Sequence, residues 1–261
     1  MKLFVAIWES SDAQRVFEEP GELNERRKVM SKRFLIVSAL VMFMGLPAIV
    51  SASDRDDDVS RTHKAAQVFQ EIMATPDKGI PRELLETAKC IAIIPGDLKF
   101  AFIFGGNYGR GLATCRNNNR WSAPMFVAVE GGSVGYQIGG SSTDLVMLFM
   151  NDHALQSLLS DKFKLGADAS VAAGPVGRHA AANTDIKLNA EILSYSRAKG
   201  IFAGISLEGA VVQADKSGDR AMYGANVNRR EILDGKVPVP ESARPLLREI
   251  TQYVRKARAA S

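Results

Sequence analysis

The chain has 261 residues, a net charge of +4 from 33 basic and 29 acidic side chains, 46% hydrophobic and 24% charged residues. That balance excludes a largely disordered chain and a multi-span membrane protein, and the 22 glycines have no three-residue period, so collagen is excluded too. The pI is near 9.1, yet no block of five like charges occurs, so nucleic acid is not an expected partner. Two cysteines and three histidines are too few for a spaced metal site, and no cofactor is expected.

Ser31-Lys32-Arg33 is a short basic stretch. An apolar run follows from Phe34 to Val50, broken by Gly45 and Pro47, then small residues Ser51-Ala52-Ser53, then acids Asp54, Asp56, Asp57 and Asp58. Basic, apolar, small, polar is the order of a secretory signal peptide. An uncleaved anchor is the alternative, although the run is short against the roughly 20 residues of a membrane span. Met30 sits directly before Ser31. The expected organisation is therefore an upstream extension over 1–29 with the true start at Met30, a signal peptide over 30–53 cleaved near Ala52, a polar linker over 54–61, and a single domain over 62–258. The expected location is periplasmic or secreted, peripheral to a membrane. Export places Cys90 and Cys115 in an oxidising compartment. They form either a disulfide closing a loop of about 25 residues or two buried thiols in adjacent strands.

Within the domain, Ala65, Val68, Phe69, Ile72 and Met73 recur at helical spacing. Pro76 and Gly79 end that helix, and Pro81 opens a short one carrying Leu84, Leu85 and Ala88. From Cys90 to Ile94 the pattern turns to strand, ended by Pro95-Gly96-Asp97. Further strands are expected over Lys99–Phe104, Gly109–Arg116, Trp121–Glu130, Val134–Ile138 and Asp144–Met150. Asn151-Asp152 caps a short helix with Leu155, Leu158 and Leu159 inward. Lys162–Leu165 and Asp168–Ala172 read as strand, and 185–197 with 201–214 as a long hairpin across Ala198-Lys199-Gly200. A last amphipathic helix carries Leu246, Leu247, Ile250, Tyr253 and Val254. Short strands with glycine at their corners predict an α+β class: a strongly curved, mainly antiparallel sheet or small barrel flanked by amphipathic helices.

Two glycine motifs invite chemistry. Gly105-Gly106-Asn107-Tyr108-Gly109-Arg110-Gly111 leads into a strand, whereas a phosphate loop needs a following helix N-terminus, so it reads as a hairpin corner. Gly131-Gly132-Ser133-Val134-Gly135 matches Gly-x-Ser-x-Gly, with His153 and His179 and the acids Asp144 and Asp185 later in the chain. Ser133 would then be an esterase nucleophile, but the helix that should follow an elbow is missing from the pattern. Lys99, Arg110, Arg116, Arg178, Arg197 and Lys199 fall near predicted turns or strand ends. They are either solvated or a shared rim for anionic headgroups, which arginine can grip with its fork. The amphipathic helices either pack on the sheet or insert shallowly at an interface, and Trp121 either anchors at that interface or sits in the core.

The run Ala88-Lys89-Cys90-Ile91-Ala92-Ile93-Ile94-Pro95, the Gly105–Gly111 segment, Trp121-Ser122-Ala123-Pro124 and Glu130-Gly131-Gly132-Ser133-Val134-Gly135-Tyr136-Gln137-Ile138-Gly139 resemble the SYLF domain family. So do Ser142-Thr143-Asp144-Leu145-Val146, the stretch Gly166–Arg178, Ser194-Tyr195-Ser196-Arg197 and Gly200–Gly209, in order over residues 62–224. Some fungal members are described as carrying an actin-binding domain. The resemblance implies a non-enzymatic lipid-binding domain that in eukaryotic relatives recognises phosphoinositides and remodels membrane and actin. It also absorbs Ser133 into the family's Glu-Gly-Gly-Ser segment. Two departures are the export signal and the lack of the SH3 domain that many relatives append, and outside the cytoplasm actin is not expected. The expectation is an exported SYLF-like domain that binds anionic phospholipid headgroups through Arg110, Arg116, Arg178, Arg197 and Lys199. The alternative is an envelope scaffold that binds a protein.

Overall fold

The first strand, Cys90–Ile94 (β1), is apolar at every position because the sheet it belongs to is covered on both faces. A computed structural model describes residues 50–74, 79–96, 99–101, 106–118, 120–131, 143–176, 189–198, 201–205 and 207–258. The chain divides into two compact units, residues 1–50 and 51–261, and Val50 is the one described residue of the first. No helix among the described residues is long and apolar enough to cross a membrane.

Val50–Met73 (α1) and Arg82–Thr87 (α2) precede β1. Then come Lys99–Ala101 (β2), Gly106–Asn117 (β3), Arg120–Trp121 (β4), Met125–Glu130 (β5) and Thr143–Phe149 (β6). Asp152–Leu159 (α3) leads to Lys162–Lys164 (β7), Val171–Ala173 (β8), Ile192–Ala198 (β9), Ile201–Gly204 (β10) and Val211–Ala214 (β11). Lys216–Tyr223 (α4), Arg229–Leu233 (α5) and Arg244–Arg258 (α6) close the chain. The strands form one curled sheet, a half-barrel in the order β10-β9-β6-β1-β3-β5-β11-β7, with β2 and β4 on β3 and β8 on β9. Every pairing of these strands is antiparallel except β8 with β9. Curvature without closure settles the choice between curved sheet and barrel.

Alternation along each strand sorts its side chains between two cores. Ile91, Ile93, Leu112, Phe126, Val146 and Leu148 face one layer, where Phe69 and Ile72 of α1 and Leu246 and Ile250 of α6 cover them. Ala92, Ile94, Met125, Val127, Met147 and Phe149 face the other, under Leu158 of α3, Phe163 of β7 and Ile232 of α5. Both predicted amphipathic helices thus spend their apolar faces inside the domain, which corrects the expectation of shallow insertion: the area they would offer a bilayer is already buried. Cys90 pairs with Cys115 across β1 and β3. Their sulfurs are bonded and the pair is buried, so the disulfide holds and the reading as two free thiols does not.

Four local expectations change. Residues 54–61, read as a polar linker, are the continuous first half of α1, with Asp58 and Arg61 buried. The strand over Trp121–Glu130 is interrupted at 122–124 into β4 and β5. The long hairpin is short: only Ile201–Gly204 pairs back on β9, and β11 crosses to the far side of the sheet between β5 and β7. Helices α4 and α5 carry too few periodic apolar residues to be read from the pattern; they are fixed by their caps, Asp215 accepting from the Gly218 amide at 3.1 Å and Asn228 from the Arg230 amide at 2.9 Å. The strand expected over Val134–Ile138 lies outside the described residues.

Candidate functional site

Strand register decides which of the expected site residues share a place. Tyr108 stands opposite both Lys99 and Glu130. Thr143 and Ile201 both stand opposite Ala198. These residues mark one end of the sheet, beyond Ile94 of β1. Arg110 and Arg197 lie in the same end region, whereas Arg116 neighbours Cys115 and Cys90 at the other. The expected single rim therefore loses Arg116. Along β3 the distance from Tyr108 to Asn117 is about 30 Å at a strand's usual rise. Arg178, Lys199 and Ser133 lie outside the described residues. Lys199 falls in sequence between Ala198 and Ile201, which pair with one another.

The three described arginines of the expected rim have internal partners. Arg110 donates from Nε to Asp215 Oδ2 at 2.8 Å, and its Nη2 reaches Ser217 Oγ at 3.5 Å. Arg61 of α1 approaches the same Asp215 oxygen at 3.6 Å and pairs with Asp58. Arg197 donates from Nε to Asp144 at 2.8 Å and pairs with Glu71 of α1, while the other Asp144 oxygen accepts from the Gly96 amide at 2.7 Å. This arginine fastens α1, β6, β9 and the turn after β1 together. Arg116 stacks its guanidinium on the Trp121 ring at 4.8 Å and donates to the carbonyls of Leu85 at 2.8 Å and Ala88 at 3.4 Å. It satisfies the C-terminal carbonyls of α2, a common use of a cation at a helix end.

Under the arginines lies a buried ionic layer. Asp58, Asp215 and Asp219 are set against Arg61, Arg110 and Arg229, with Arg61 also over the Phe126 ring at 5.7 Å. Matching each carboxylate with a guanidinium makes the burial of these charges tolerable. Burial pushes Asp215 upward, but bonds from Ser217, the Gly218 amide and Arg110 prevail and hold it below the ordinary carboxylate value. For Asp58 burial prevails over Arg61, and its carboxyl is raised. Asp219 is raised to about 6 by burial, against the bond it accepts from the Phe126 amide and the charge of Arg229. Nothing in the sequence pattern pairs residue 58 with residue 215.

The hydrolase constellation does not assemble among the described residues. Asp144 is bound to Arg197 at one end of β6, and His153 follows the other end, about 17 Å along the strand direction. His153 Nδ1 instead meets Glu191 Oε1 at 2.6 Å, and Ser170 Oγ bonds the other oxygen of that carboxylate at 3.2 Å. His179 and Asp185 lie outside the described residues.

Beside these charged residues, the same end of the sheet carries exposed apolar side chains. Of the large hydrophobic side chains that stand exposed, Tyr108 (41%) and Ile201 (72%) are both there. The half-barrel flanked by helices defines the class of the domain as α+β. Residues 130–253 match the family described as Ysc84, Las17-binding protein actin regulator. The chain is 37% identical over 198 residues to Protein YSC84 of Saccharomyces cerevisiae, covering 72% of this chain and 42% of that protein. It is 31% identical over 204 residues to the SH3 domain-containing YSC84-like protein 1 of Rattus norvegicus, covering 76% and 60%. The chain belongs to the Ysc84 family, whose shared domain is the SYLF domain. It spans about two fifths to three fifths of the length of these relatives.

Proposed function

We propose that this is an exported, non-enzymatic SYLF domain that binds anionic phospholipid with the loop end of its sheet. The observation that carries the reading is the coincidence of Tyr108 and Ile201, exposed, with a basic sequence around the same strand ends. Ile201 and Tyr108 would enter the headgroup layer, where an apolar body with a polar tip is favoured. Lys99, Lys199 and Arg178 would hold phosphate oxygens. Arg110 and Arg197, engaged with carboxylates, would shape the rim rather than grip lipid. The signal-like order over 30–53 and the Cys90–Cys115 bridge support export, since disulfides persist in oxidising compartments.

Sedimentation with phosphatidylcholine vesicles, with and without phosphatidylglycerol, tests the reading. Binding should require the anionic lipid, weaken with salt and fall with Ile201→Asp. Equal binding to neutral vesicles, or an Ile201→Asp protein that binds like the parent, would overturn it. A protein partner is the second reading, favoured by the family's description as a Las17-binding protein actin regulator. Capture of one envelope protein by a chain that ignores vesicles would establish it.

A further inference from the structure

At the end of the sheet opposite to Tyr108 and Ile201, the β3–β4 turn and the segment after α5 enclose a cleft of about 550 Å³. That volume lies in the range of small-molecule sites. Trp121, Val237, Pro238 and Val239 form its apolar wall, and Asn117 and Arg120 its polar side. The cleft is braced: the Asn117 amide donates to the Asp234 carbonyl, and the Trp121 ring is fixed from behind by Arg116. Tightly held aromatic and aliphatic surface with a few polar groups beside it suits a ligand with an apolar body and one polar end.

The charge is equally one-sided. Arg120 is exposed, and its guanidinium has no ion pair or hydrogen bond among the described residues. Lys236 and Asp234, which flank the lining residue Gly235 in sequence, pair with each other at 3.4 Å and cancel. The Trp121 indole N–H also has no acceptor among the described residues. One cation and one neutral donor beside an apolar wall call for an anion that carries acceptor oxygens.

A peptide suits this cleft poorly. Each peptide unit brings an N–H and a C=O that need partners. Pro238 has no N–H to give, and the Gly235 and Lys236 amides already donate to the carbonyls of Ile232 and Glu231. An alkyl chain brings no such demand.

We infer that the cleft binds a single-chain amphiphile with an anionic head, a carboxylate or a phosphate, its chain against Trp121, Val237 and Val239 and its head on Arg120. This site is separate from the proposed membrane-binding end. It can be filled by a free fatty acid or by a lysophospholipid-type phosphate.

The full chain contains two tryptophans, Trp8 and Trp121, so a Trp8→Phe protein reports on Trp121 alone. Its emission is followed against laurate, dodecyl phosphate and dodecanol, each below its aggregation limit. A saturable change with laurate alone identifies a carboxylate ligand, with dodecyl phosphate alone a phosphate, and with both a general anionic head. Dodecanol should bind at least about tenfold more weakly, and Arg120→Glu should weaken the anions by about tenfold or more, with Arg120→Lys retaining most of the affinity. Arg120→Gln serves the same comparison if the Glu variant loses its thermal transition. Vesicle sedimentation by the Arg120 variants should match the parent, which separates this result from the membrane reading. No saturable change with either anion, dodecanol binding as tightly as the anions, or unchanged affinity in the Arg120→Glu and Arg120→Gln proteins would overturn the inference. So would a proline-containing peptide that saturates the signal where the amphiphiles do not.

Discussion

Gly204 lies so close to Gly174 that a β-carbon on Gly204 would stand 2.0 Å from the Gly174 carbonyl oxygen. A β-carbon on Gly174 would in turn sit 2.0 Å from Cζ of the Tyr195 ring. Here the chain leaving β8 passes the end of β10 against a buried tyrosine, both strands having used the same edge of β9. Neither a backbone carbonyl nor the fully buried Tyr195 can give way cheaply. Gly204→Ala and Gly174→Ala should each cost at least about 1–3 kcal/mol by overpacking, read as a lower urea midpoint with unchanged slope. Variants as stable as the parent would show that the crossing is loose.

The Cys90–Cys115 bridge joins two central strands of the sheet, at positions 25 apart in sequence. Constraint of the unfolded chain by a loop of that size is worth about 3–4 kcal/mol. Cys90→Ala with Cys115→Ala should therefore lower the unfolding free energy by about that amount. The parent should resist reductant in its native state because both residues are buried, and should shift only when reductant and urea act together. Titration of free thiols during a urea series checks both statements.

The legible parts of this molecule are those whose physics is local. β1 is a run of five apolar residues closed by Pro95-Gly96, and α6 has one apolar stripe, so each could be placed by period and punctuation. The basic strand-end residues were visible too, but not their partners. Asp144 and Arg197 are 53 positions apart, and Arg110 and Asp215 105 apart, so a cation that looks free in the sequence meets its carboxylate only when the sheet curls. The same limit hid Asp58 and Arg61: four acids near a small-residue junction look solvated until α1 is laid across the sheet. Arg116 was misplaced for a simpler reason. β3 is long enough to carry Arg110 and Arg116 toward opposite ends of the sheet, and a turn signal beside each residue does not say which end the turn belongs to.

Asp219 makes the domain sensitive to pH in a defined sense. Its carboxyl rises from an ordinary 3.8 to about 6, chiefly by burial. An acid whose folded value stands above its unfolded one binds more protons in the folded state between the two. Its contribution to stability therefore falls as pH rises from about 4 to about 6, and the loss persists at neutral pH. The rise corresponds to about 3 kcal/mol. Asn at this position can still accept from the Phe126 amide but cannot ionise. Plotted against pH, the difference in unfolding free energy between the parent and Asp219→Asn should change by roughly 2 kcal/mol between pH 4 and 6.5 and flatten above. A difference independent of pH would place the Asp219 titration outside this window. Asp58, raised in the same sense, is present in both proteins and drops out of the comparison.

Arg116 separates structural from membrane-binding arginines. Its guanidinium lies on the Trp121 ring and ties the last carbonyls of α2 to β3. Removing a stacked, hydrogen-bonded guanidinium should cost about 1–3 kcal/mol. Arg116→Lys should recover little of that, because an ammonium has neither the plane nor the fork. Vesicle binding should respond differently: with Arg116 at the far end of β3 from Tyr108, both variants should sediment with phosphatidylglycerol vesicles like the parent at a temperature where all are folded. If Arg116→Ala instead lost the vesicles and Arg116→Lys regained them, the charge itself would be contacting lipid, and the membrane-facing surface would have to include the Trp121 end of the sheet. A stability loss with unchanged sedimentation leaves Arg116 as the C-terminal cap of α2 and the loop end as the contact surface.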